Sequence, residues 1–433
     1  MNRRELVKGA AAVLCHSSAV LSLRARSVHA ATPKARVRPG SPGWPSQASW
    51  HELRQAVGGR LAEVPSPLVA CAKASASQDC GPLFRQFKNP YFLRDEISLT
   101  QTLGWVDAWT SSPSAYAIAA KSTADVVAGV NFARENNLRL VVKGGGHSYQ
   151  GTSNAPDSLL IWLRPMTGID VHDAFVAAGC EGKVQPRSAV SVGAGAIWGQ
   201  VYDAVTTQTG RYVQDRGCLT VGVAGLVQSG GFGSFSKRYG TAAASLLEAE
   251  IVCADGHVRI ANACVHPDLF WAIKGGGGGS FGVVTRLTLA THDLPEFFGG
   301  VFATIHATSD AAFRRLIGKA IGFYRDRLFN PHWGEQIAFR PNNSLNIGMT
   351  FQGLNQQGAE ALWRPLFSEI EALQEFRIEH LPMIVALPAK RFWEPAFLKS
   401  LGEFVLSDDR PSAPASNIFW AGNLEESGQI RNL

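Results

Sequence analysis

The sequence has 433 residues, of which 45% are hydrophobic and 18% charged, and a formal net charge of +6. This composition excludes a disordered chain, and the 44 glycines lack the three-residue period of collagen. The segment from Met1 to Ala30 contains five basic side chains and one acidic side chain, so the remainder of the chain carries a net charge of only +2. That charge is too small to indicate a nucleic-acid-binding protein, and we expect no nucleic-acid partner.

The segment from Met1 to Ala30 is predicted to be an export signal. Asn2-Arg3-Arg4-Glu5-Leu6-Val7-Lys8 is basic, Gly9 to Leu23 is weakly apolar, and Val28-His29-Ala30 provides a small-residue cleavage site. The paired arginines resemble a twin-arginine signal, with an ordinary secretory signal or a frayed basic tail as the alternatives. That route exports folded proteins that usually carry a cofactor, so we expect a periplasmic or secreted protein with a redox cofactor. No later stretch approaches the roughly 18 apolar residues of a membrane helix, so no membrane association is expected after signal removal.

Residues 31–110 are predicted to form an N-terminal extension. Residues 31–50 are rich in proline, serine, glycine and arginine, as in a linker, and residues 51–62 have a helical pattern. Cys71 and Cys80 lie in a polar loop, where an oxidising compartment would join them; two free thiols are the alternative. No Cys-x-x-Cys motif is present, so we expect no metal site. The cysteines interpreted as small buried residues or an occasional bridge are Cys180, Cys253 and Cys264.

Residues 111–292 are predicted to form the first large domain. Thr123 can cap a helix whose apolar face contains Val126, Val130 and Ala133, and Asn136-Asn137 ends this helix. The strand that follows, residues 138–142, leads into a glycine-rich loop. Further strands are expected over residues 189–192, 245–253, 257–261 and 283–290, and helices over residues 197–208 and 268–274. The turn Ala254-Asp255-Gly256 joins two of these strands as a hairpin.

Residues 293–433 are predicted to form a second domain, in which glycine is less frequent. The expected strands are residues 301–307, 337–340, 345–351 and 376–387, and the expected helices are residues 309–328 and 357–373. This alternation favours an α+β domain whose helices cover one face of an antiparallel sheet.

Glycine is concentrated in one region, since 27 of the 44 glycines lie within residues 141–300. Gly193 to Gly199 resembles a dinucleotide fingerprint, but its third glycine comes one residue too late. The G-x-x-x-x-G-K-[S/T] phosphate loop is absent from the sequence, and Gly278 to Gly282 fits the nucleophile elbow of a hydrolase only within a five-glycine run. The remaining interpretation is a set of loops whose N–H groups approach a pyrophosphate, with a tight surface turn as the alternative for residues 275–279.

Three glycine segments, taken in order, resemble one family. Lys143-Gly144-Gly145-Gly146-His147-Ser148-Tyr149-Gln150-Gly151 is similar to the flavin loop of the FAD-linked oxidases of the berberine bridge enzyme group, within the vanillyl-alcohol oxidase superfamily. Gly217 to Gly225, with Ser229 to Gly233, is similar to the second flavin segment of that group, and Leu269 to Gly277 to the third. The resemblance is strong over residues 110–292 and loose elsewhere. It implies an α+β fold with a two-part FAD-binding domain of the PCMH type and a substrate domain.

The resemblance also implies roles for individual residues. His147 matches the histidine that bonds to the flavin 8α-methyl group, and Cys218 matches the cysteine that bonds to flavin C6, although Leu219 stands where the family often has proline. For His147 the alternatives are a single covalent linkage or a histidine that only makes hydrogen bonds, and for Cys218 the alternative is a free thiol. Val252 matches a position that contacts the cofactor through its backbone, with a plain core valine as the alternative. The other residues expected around the FAD are Gly144, Gly145, Gly146, Ser148, Thr220, Gly222, Gly225, Ser229, Gly230 and Gly231.

The implied reaction is oxidation of an alcohol- or carbohydrate-type CH–OH group of a small-molecule substrate. Hydride passes to flavin N5, a base takes the hydroxyl proton, and molecular oxygen or another acceptor reoxidises the flavin. Glu335 is the candidate base, with a solvated strand-end glutamate as the alternative, and Tyr149 is a second candidate for proton handling. Trp333 and Trp393 could stack on a substrate ring, although buried packing is the favoured interpretation.

Two other functions stay open at this point. One is a flavin-binding relative without turnover, and the other is a dehydrogenase that uses an acceptor other than oxygen. Residues 419–425 resemble a segment after which the chain of related alcohol-oxidase-like proteins continues. The end at Leu433 is therefore interpreted as either a short variant or a truncated frame.

Overall fold

The computed structural model describes residues 35–73, 80–86, 90–100, 104–105, 109–214, 219–334 and 337–400. The chain divides into two units, Met1–Arg36 and Val37–Leu433, and all the elements below belong to the second. The predicted export signal, which ends at Ala30, lies outside the described residues. Among the residues described, no helix is both long enough and apolar enough to span a bilayer.

In the described part of the chain, the strands form three main sheets and two short ribbons. In chain order they are β1 (Leu61–Glu63), β2 (Gly104–Trp105), β3 (Trp109–Thr110), β4 (Tyr116–Ala119), β5 (Arg139–Lys143), β6 (Ser158–Trp162), β7 (Ile169–Phe175), β8 (Arg187–Gly193), β9 (Arg211–Tyr212), β10 (Leu246–Val252), β11 (Val258–Asn262), β12 (Val283–Ala290), β13 (His292–Asp293), β14 (Phe297–Ala307), β15 (Trp333–Gly334), β16 (Ile337–Arg340), β17 (Ser344–Gln352), β18 (Phe376–Ile378) and β19 (Met383–Pro388).

The helices are mostly short outside the two that cover the third sheet. The α-helices are α1 (Gln47–Ala56), α2 (Leu68–Lys73), α3 (Cys80–Gln86), α4 (Pro90–Asp95), α5 (Thr123–Glu135), α6 (Trp198–Tyr202), α7 (Val223–Gln228), α8 (Ser236–Tyr239), α9 (Pro267–Ile273), α10 (Asp310–Phe323), α11 (Gln356–Glu371) and α12 (Pro395–Ser400). Short 3₁₀ turns lie at Ala242–Ser245 and Ala389–Arg391, and π turns lie at Asp203–Gln208 and Tyr324–Leu328.

The first sheet has four strands in the order β1-β4-β6-β5, of which the last three run parallel. Helix α5 packs on this sheet through Val126 and Val130, as its sequence pattern predicts. Its cap differs from the prediction, because Ser122 rather than Thr123 closes a capping box with Asp125. The Thr123 hydroxyl instead donates a hydrogen bond to Glu250, 2.6 Å away. The buried residues on one face of this sheet belong to a main hydrophobic core that also contains residues of the second sheet. Strand β5 is an edge strand, so the loop beyond it starts at that edge.

The second sheet is antiparallel, with five strands in the order β11-β10-β12-β8-β7. The predicted hairpin is confirmed: β10 and β11 pair across a turn in which Gly256 has a φ of 82°. The helix predicted over residues 197–208 is confirmed in extent: α6 is followed directly by a π-helical segment, Asp203–Gln208. A disulfide between Cys180 and Cys264 joins the segment after β7 to the segment after β11. Cys253, by contrast, is a free thiol.

The third sheet has six antiparallel strands, with β17 and β14 at its centre. Helices α10 and α11 cover one face and bury Leu316 and Trp363 against Val301 and Phe351 in a second core. This arrangement confirms the α+β fold expected for the second half, with helices on one face of an antiparallel sheet. The opposite face, which carries alternate residues of β17, is not covered by these helices.

A second disulfide, between Cys71 and Cys80, confirms the pairing expected in the N-terminal extension. It links α2 to α3, and both cysteines are buried. The two short helices are thereby held together.

Candidate functional site

The first and second glycine segments meet backbone to backbone. The loop after β5 brings Gly145 against Gly222, the residue that precedes α7. A Cβ atom on Gly145 would lie 2.5 Å from the backbone nitrogen of Gly222, and one on Gly222 would lie 2.7 Å from the nitrogen of Gly145. Any side chain at either position would force the loops apart, so glycine is required at both for a steric reason.

The second and third glycine segments also meet. Gly277 donates its N–H to the carbonyl oxygen of Gln228 over 2.8 Å, and the Cβ position of Gly275 lies 3.7 Å from the Cα of Gly230. Gly230 has a φ of 95° and Gly275 a φ of 107°, which favour glycine. The three segments singled out in the sequence therefore lie side by side in the structure.

His147 stands where the first two segments join. Its Nε2 atom is 3.1 Å from the hydroxyl oxygen of Thr220, a residue that is fully buried. The imidazole itself is half-buried. The Thr220 contact engages the Nε2 atom of the ring.

Other predicted residues of the first loop have local roles. The hydroxyl of Ser148 accepts hydrogen bonds from the N–H groups of Gln150 and Thr152, so it stabilises the turn that follows the glycines. Gly146 has a φ of 73°, which favours glycine there. The side chain of Tyr149 is 45% exposed, and its carbonyl accepts a hydrogen bond from the indole of Trp109.

The remaining predicted positions divide into close-packed and open ones. Gly231 has a φ of 71° and would place a Cβ 2.6 Å from that of Ala242. In contrast, a Cβ at Gly225 or Gly230 would meet no described atom within 4 Å. Ser229 caps the C-terminal end of α7. Because the close-packed glycines hold the segments together and the open ones leave space beside them, the cluster is suited to receive a ligand against its backbone.

Val252 is fully buried at the end of β10, and its carbonyl oxygen lies 2.4 Å from the Cβ position of Gly282.

Cys218 and Glu335 both fall outside the described residues, so the structure places neither. Trp393 is buried in the main core and Trp333 in the second core. Buried packing, the favoured interpretation of both side chains, is confirmed. Trp393 stacks on Tyr202 with ring centres 3.8 Å apart.

Lys143 is a feature of the site that the sequence did not reveal. Its ammonium group is buried and donates hydrogen bonds to three carbonyl oxygens, those of Glu96, Ile97 and Leu99, over 2.7–3.0 Å. Burial lowers the pKa of Lys143 to about 7, while the carboxylates of Glu96 and Asp95 act in the opposite direction. The side chain ties the start of the glycine loop to the N-terminal extension. The only sequence signal was a lysine at the end of an apolar strand.

Comparison with known proteins assigns an FAD-binding match to the same region of the chain. A family model described as an FAD binding domain matches residues 113–262. The FAD-linked oxidoreductase malF of Malbranchea aurantiaca is 32% identical over 343 residues, which are 74% of this chain and 58% of that protein. The chain spans between 54% and 61% of the length of three curated relatives.

Solved structures show the same fold. The VAO-type flavoprotein MtVAO615 from Myceliophthora thermophila C1 superposes with a TM-score of 0.71 at 23% identity, over 92% of this chain and 74% of that one. The glucooligosaccharide oxidase of Acremonium strictum, which has a 6-S-cysteinyl, 8α-N1-histidyl FAD, superposes with a TM-score of 0.50 at 23% identity, over 64% of this chain and 54% of that one. Both likenesses are at the level of the fold.

Proposed function

The chain belongs to the FAD-linked oxidoreductases of the vanillyl-alcohol oxidase and berberine bridge enzyme-like family, with a PCMH-type FAD-binding domain, and we propose that it is an FAD-dependent oxidase. The proposed substrate is a small molecule with an alcohol- or carbohydrate-type CH–OH group, and the proposed acceptor is molecular oxygen. In this proposal residues 111–292 bind the flavin and residues 293–433 bind the substrate.

The observation that carries the proposal is the convergence of the three glycine segments around His147. Gly145 and Gly222 bring two backbones into direct contact, while Gly225 and Gly230 leave space beside them. Backbone N–H groups in such loops bind the negative charge of a pyrophosphate without a lysine. The residues present therefore fit a flavin dinucleotide.

We further propose that the flavin is attached covalently through His147 and Cys218. The hydrogen bond between His147 Nε2 and Thr220 would survive attachment through Nδ1 but not through Nε2, which favours Nδ1. Cys218 precedes Thr220 by two positions in the sequence, so the chain itself keeps the second attachment point close to the first. The linkages of the Acremonium oxidase are of the same two kinds.

When bound, the flavin supplies a hydride acceptor for the oxidation of the substrate carbon. The chain must supply a group that takes the hydroxyl proton, and we propose Glu335 for this role because it directly follows the buried edge strand β15. Tyr149 is the second candidate, since its position two residues after His147 places it beside the loop. The Trp109 hydrogen bond to the Tyr149 carbonyl fixes the backbone at that point.

We also propose that the protein is exported. The support comes from the twin-arginine-like sequence between Met1 and Ala30, together with the Cys71–Cys80 and Cys180–Cys264 disulfides. Disulfides form and persist in oxidising compartments such as the periplasm. Cell fractionation of the full-length protein, with an Arg3→Lys, Arg4→Lys control, tests this point: retention of the wild-type protein in the cytoplasm would contradict it.

The experiment for the proposed activity is anaerobic reduction of the flavin. Purified protein is mixed with a panel of primary alcohols, sugars and aromatic alcohols, and the flavin absorbance near 450 nm is followed. We expect bleaching with at least one compound, and peroxide formation when air is admitted. A yellow protein that no member of the panel bleaches would contradict an alcohol or carbohydrate oxidase. Bleaching without peroxide would instead indicate a dehydrogenase.

A further inference from the structure

The second glycine segment continues into a stretch that touches the third sheet. Residues 234–239 touch residues 328–352 at several points, and three of these contacts involve backbone or hydrogen-bonding groups. A Cβ on Gly334 would lie 2.5 Å from the carbonyl oxygen of Ser234, so the two backbones meet there. The ammonium group of Lys237 donates a hydrogen bond to the carbonyl of Leu328 over 3.1 Å. The third contact is made by Tyr239 and Gln352.

Gln352 uses all of its polar groups at this contact. Its side-chain oxygen accepts a hydrogen bond from the Tyr239 hydroxyl over 2.9 Å, and its side-chain nitrogen donates to the carbonyl of Pro331 over 3.0 Å. Its backbone N–H donates to the carbonyl of His332, and its own carbonyl lies 2.9 Å from His332 Nδ1. The residue is 1% exposed. Gln352 therefore fixes the turn that leads into β15 and joins it to Tyr239.

The side chain of Tyr239 is held in place by aromatic neighbours. Its ring lies 4.8 Å from that of Tyr212 and 4.6 Å from that of His292, centre to centre. Burial raises the pKa of Tyr239, so its hydroxyl remains protonated and donates the hydrogen bond. The aromatic neighbours fix the ring and the Gln352 oxygen fixes the hydroxyl.

The contact lies on the face of the third sheet opposite helices α10 and α11, where Gln352 and Thr350 are both buried. Phe351 and its cross-strand partner Trp333 point into the second core, so Thr350 and Gln352 point the opposite way by strand alternation. The partner of Thr350 is Gly334, the residue that meets Ser234. The second glycine segment is thus connected to the face of the sheet opposite these helices.

We propose that Tyr239 and Gln352 form a positioning pair. The pair holds the face of the third sheet opposite helices α10 and α11 in register with the second glycine segment. A substrate bound on this face is thereby presented to the flavin. This inference rests on the proposed function, because a substrate must bind between the two parts. The pair acts by placement, without contact with the reacting atoms.

The variant Tyr239→Phe removes only the hydroxyl, and Gln352→Met removes both side-chain hydrogen bonds at similar volume. With a panel compound that the wild-type protein oxidises, we expect kcat/KM to fall about tenfold in each variant, with flavin content unchanged, because misplacement costs transition-state binding. The double variant should fall no further than Gln352→Met alone, since both changes break the same contact. Tyr116→Phe is the matched control, because the Tyr116 hydroxyl also bonds a side chain, that of Glu63, but in the first sheet.

A second measurement does not need a substrate. Deuterium uptake of a peptide covering residues 331–334 should rise in Tyr239→Phe and stay at the wild-type level in Tyr116→Phe. The proposal is overturned if kcat/KM of Tyr239→Phe stays within about twofold of the wild type, if Tyr116→Phe shows the same loss, or if uptake is unchanged. If no panel compound reduces the wild-type flavin, the proposed function fails, and the exchange measurement alone decides whether the pair holds the sheet.

Discussion

Replacing Lys143 by methionine tests how the flavin loop is held in place. Methionine fills a similar volume but cannot donate, so the hydrogen bonds to the carbonyls of Glu96, Ile97 and Leu99 are lost, and among the described residues only the Glu96 carbonyl keeps another donor, the N–H of Leu99. At roughly 1 kcal/mol for each lost hydrogen bond, these bonds contribute about 3 kcal/mol to the free energy of unfolding. The cost of burying the charged ammonium opposes this contribution at low pH, so the destabilisation by methionine should be largest above pH 7. Without these hydrogen bonds the first residue of the glycine loop is no longer held in place, so we expect a smaller fraction of protein with attached flavin.

The pH dependence of this effect follows from the buried ammonium. The pKa of Lys143 is about 7 in the folded protein and 10.5 for an ordinary lysine, so the unfolded chain binds more protons between these values. The wild-type free energy of unfolding therefore gains up to about 1.4 kcal/mol per pH unit above pH 7 from this group, and the methionine variant gains nothing. The difference between the two proteins should grow by about 2 kcal/mol from pH 6.5 to pH 8.5.

Urea denaturation followed by tryptophan fluorescence measures both quantities. Lys319→Met is the control, because Lys319 makes an ion pair with Glu369 at the surface and its loss should cost less than about 1 kcal/mol. Equal destabilisation by the two substitutions would refute the role given to Lys143. A difference that does not change with pH would refute the lowered pKa.

Three further predictions concern the site and its frame. Gly145→Ala should abolish flavin incorporation because its Cβ would lie 2.5 Å from a backbone nitrogen, whereas Gly225→Ala has no such clash, and absorbance at 450 nm per protein compares them. Thr220→Val should lower the fraction of covalent flavin severalfold while Thr220→Ser retains it, as measured after acid precipitation; equal fractions would contradict the role of the hydroxyl. Cys180→Ser should cost about 2–5 kcal/mol of unfolding free energy in urea, and Cys253→Ser under 1 kcal/mol, because only the former opens a disulfide.

Regular elements were predictable where a single periodicity governed the residues. Strand β12 and strand β16 have the predicted bounds, because each is a short run of residues that favour strands. Boundaries set by side-chain capping were less predictable: Ser122 and Thr123 are both good caps, and only the contact of Thr123 with Glu250 in the second sheet decides between them. Periodicity also cannot distinguish an α-helix from the π turn that completes it after Tyr202.

The site was predictable as a set of segments and not as a set of contacts. Glycine clustering and the residues beside it identified the loops, but the pairing of Gly145 with Gly222 depends on how two sheets pack. The hydrogen-bond partners of Lys143 lie more than 40 positions earlier in the chain. Tyr239 bonds to Gln352, which lies 113 positions later. Partners at such separations leave no mark in spacing or composition, and the Cys180–Cys264 disulfide, 84 residues apart, was hidden for the same reason.

Peptide mapping of acid-precipitated wild-type protein tests the flavin site most directly. The precipitate is washed free of dissociable flavin, digested, and its yellow peptides are identified by mass spectrometry. We predict that the flavin remains with the protein and that its mass is found on the peptide containing His147, joined to the peptide containing Cys218. A colourless precipitate with all the flavin in the supernatant would contradict covalent attachment, and a protein purified without any flavin would contradict the assignment of the three glycine segments to an FAD site.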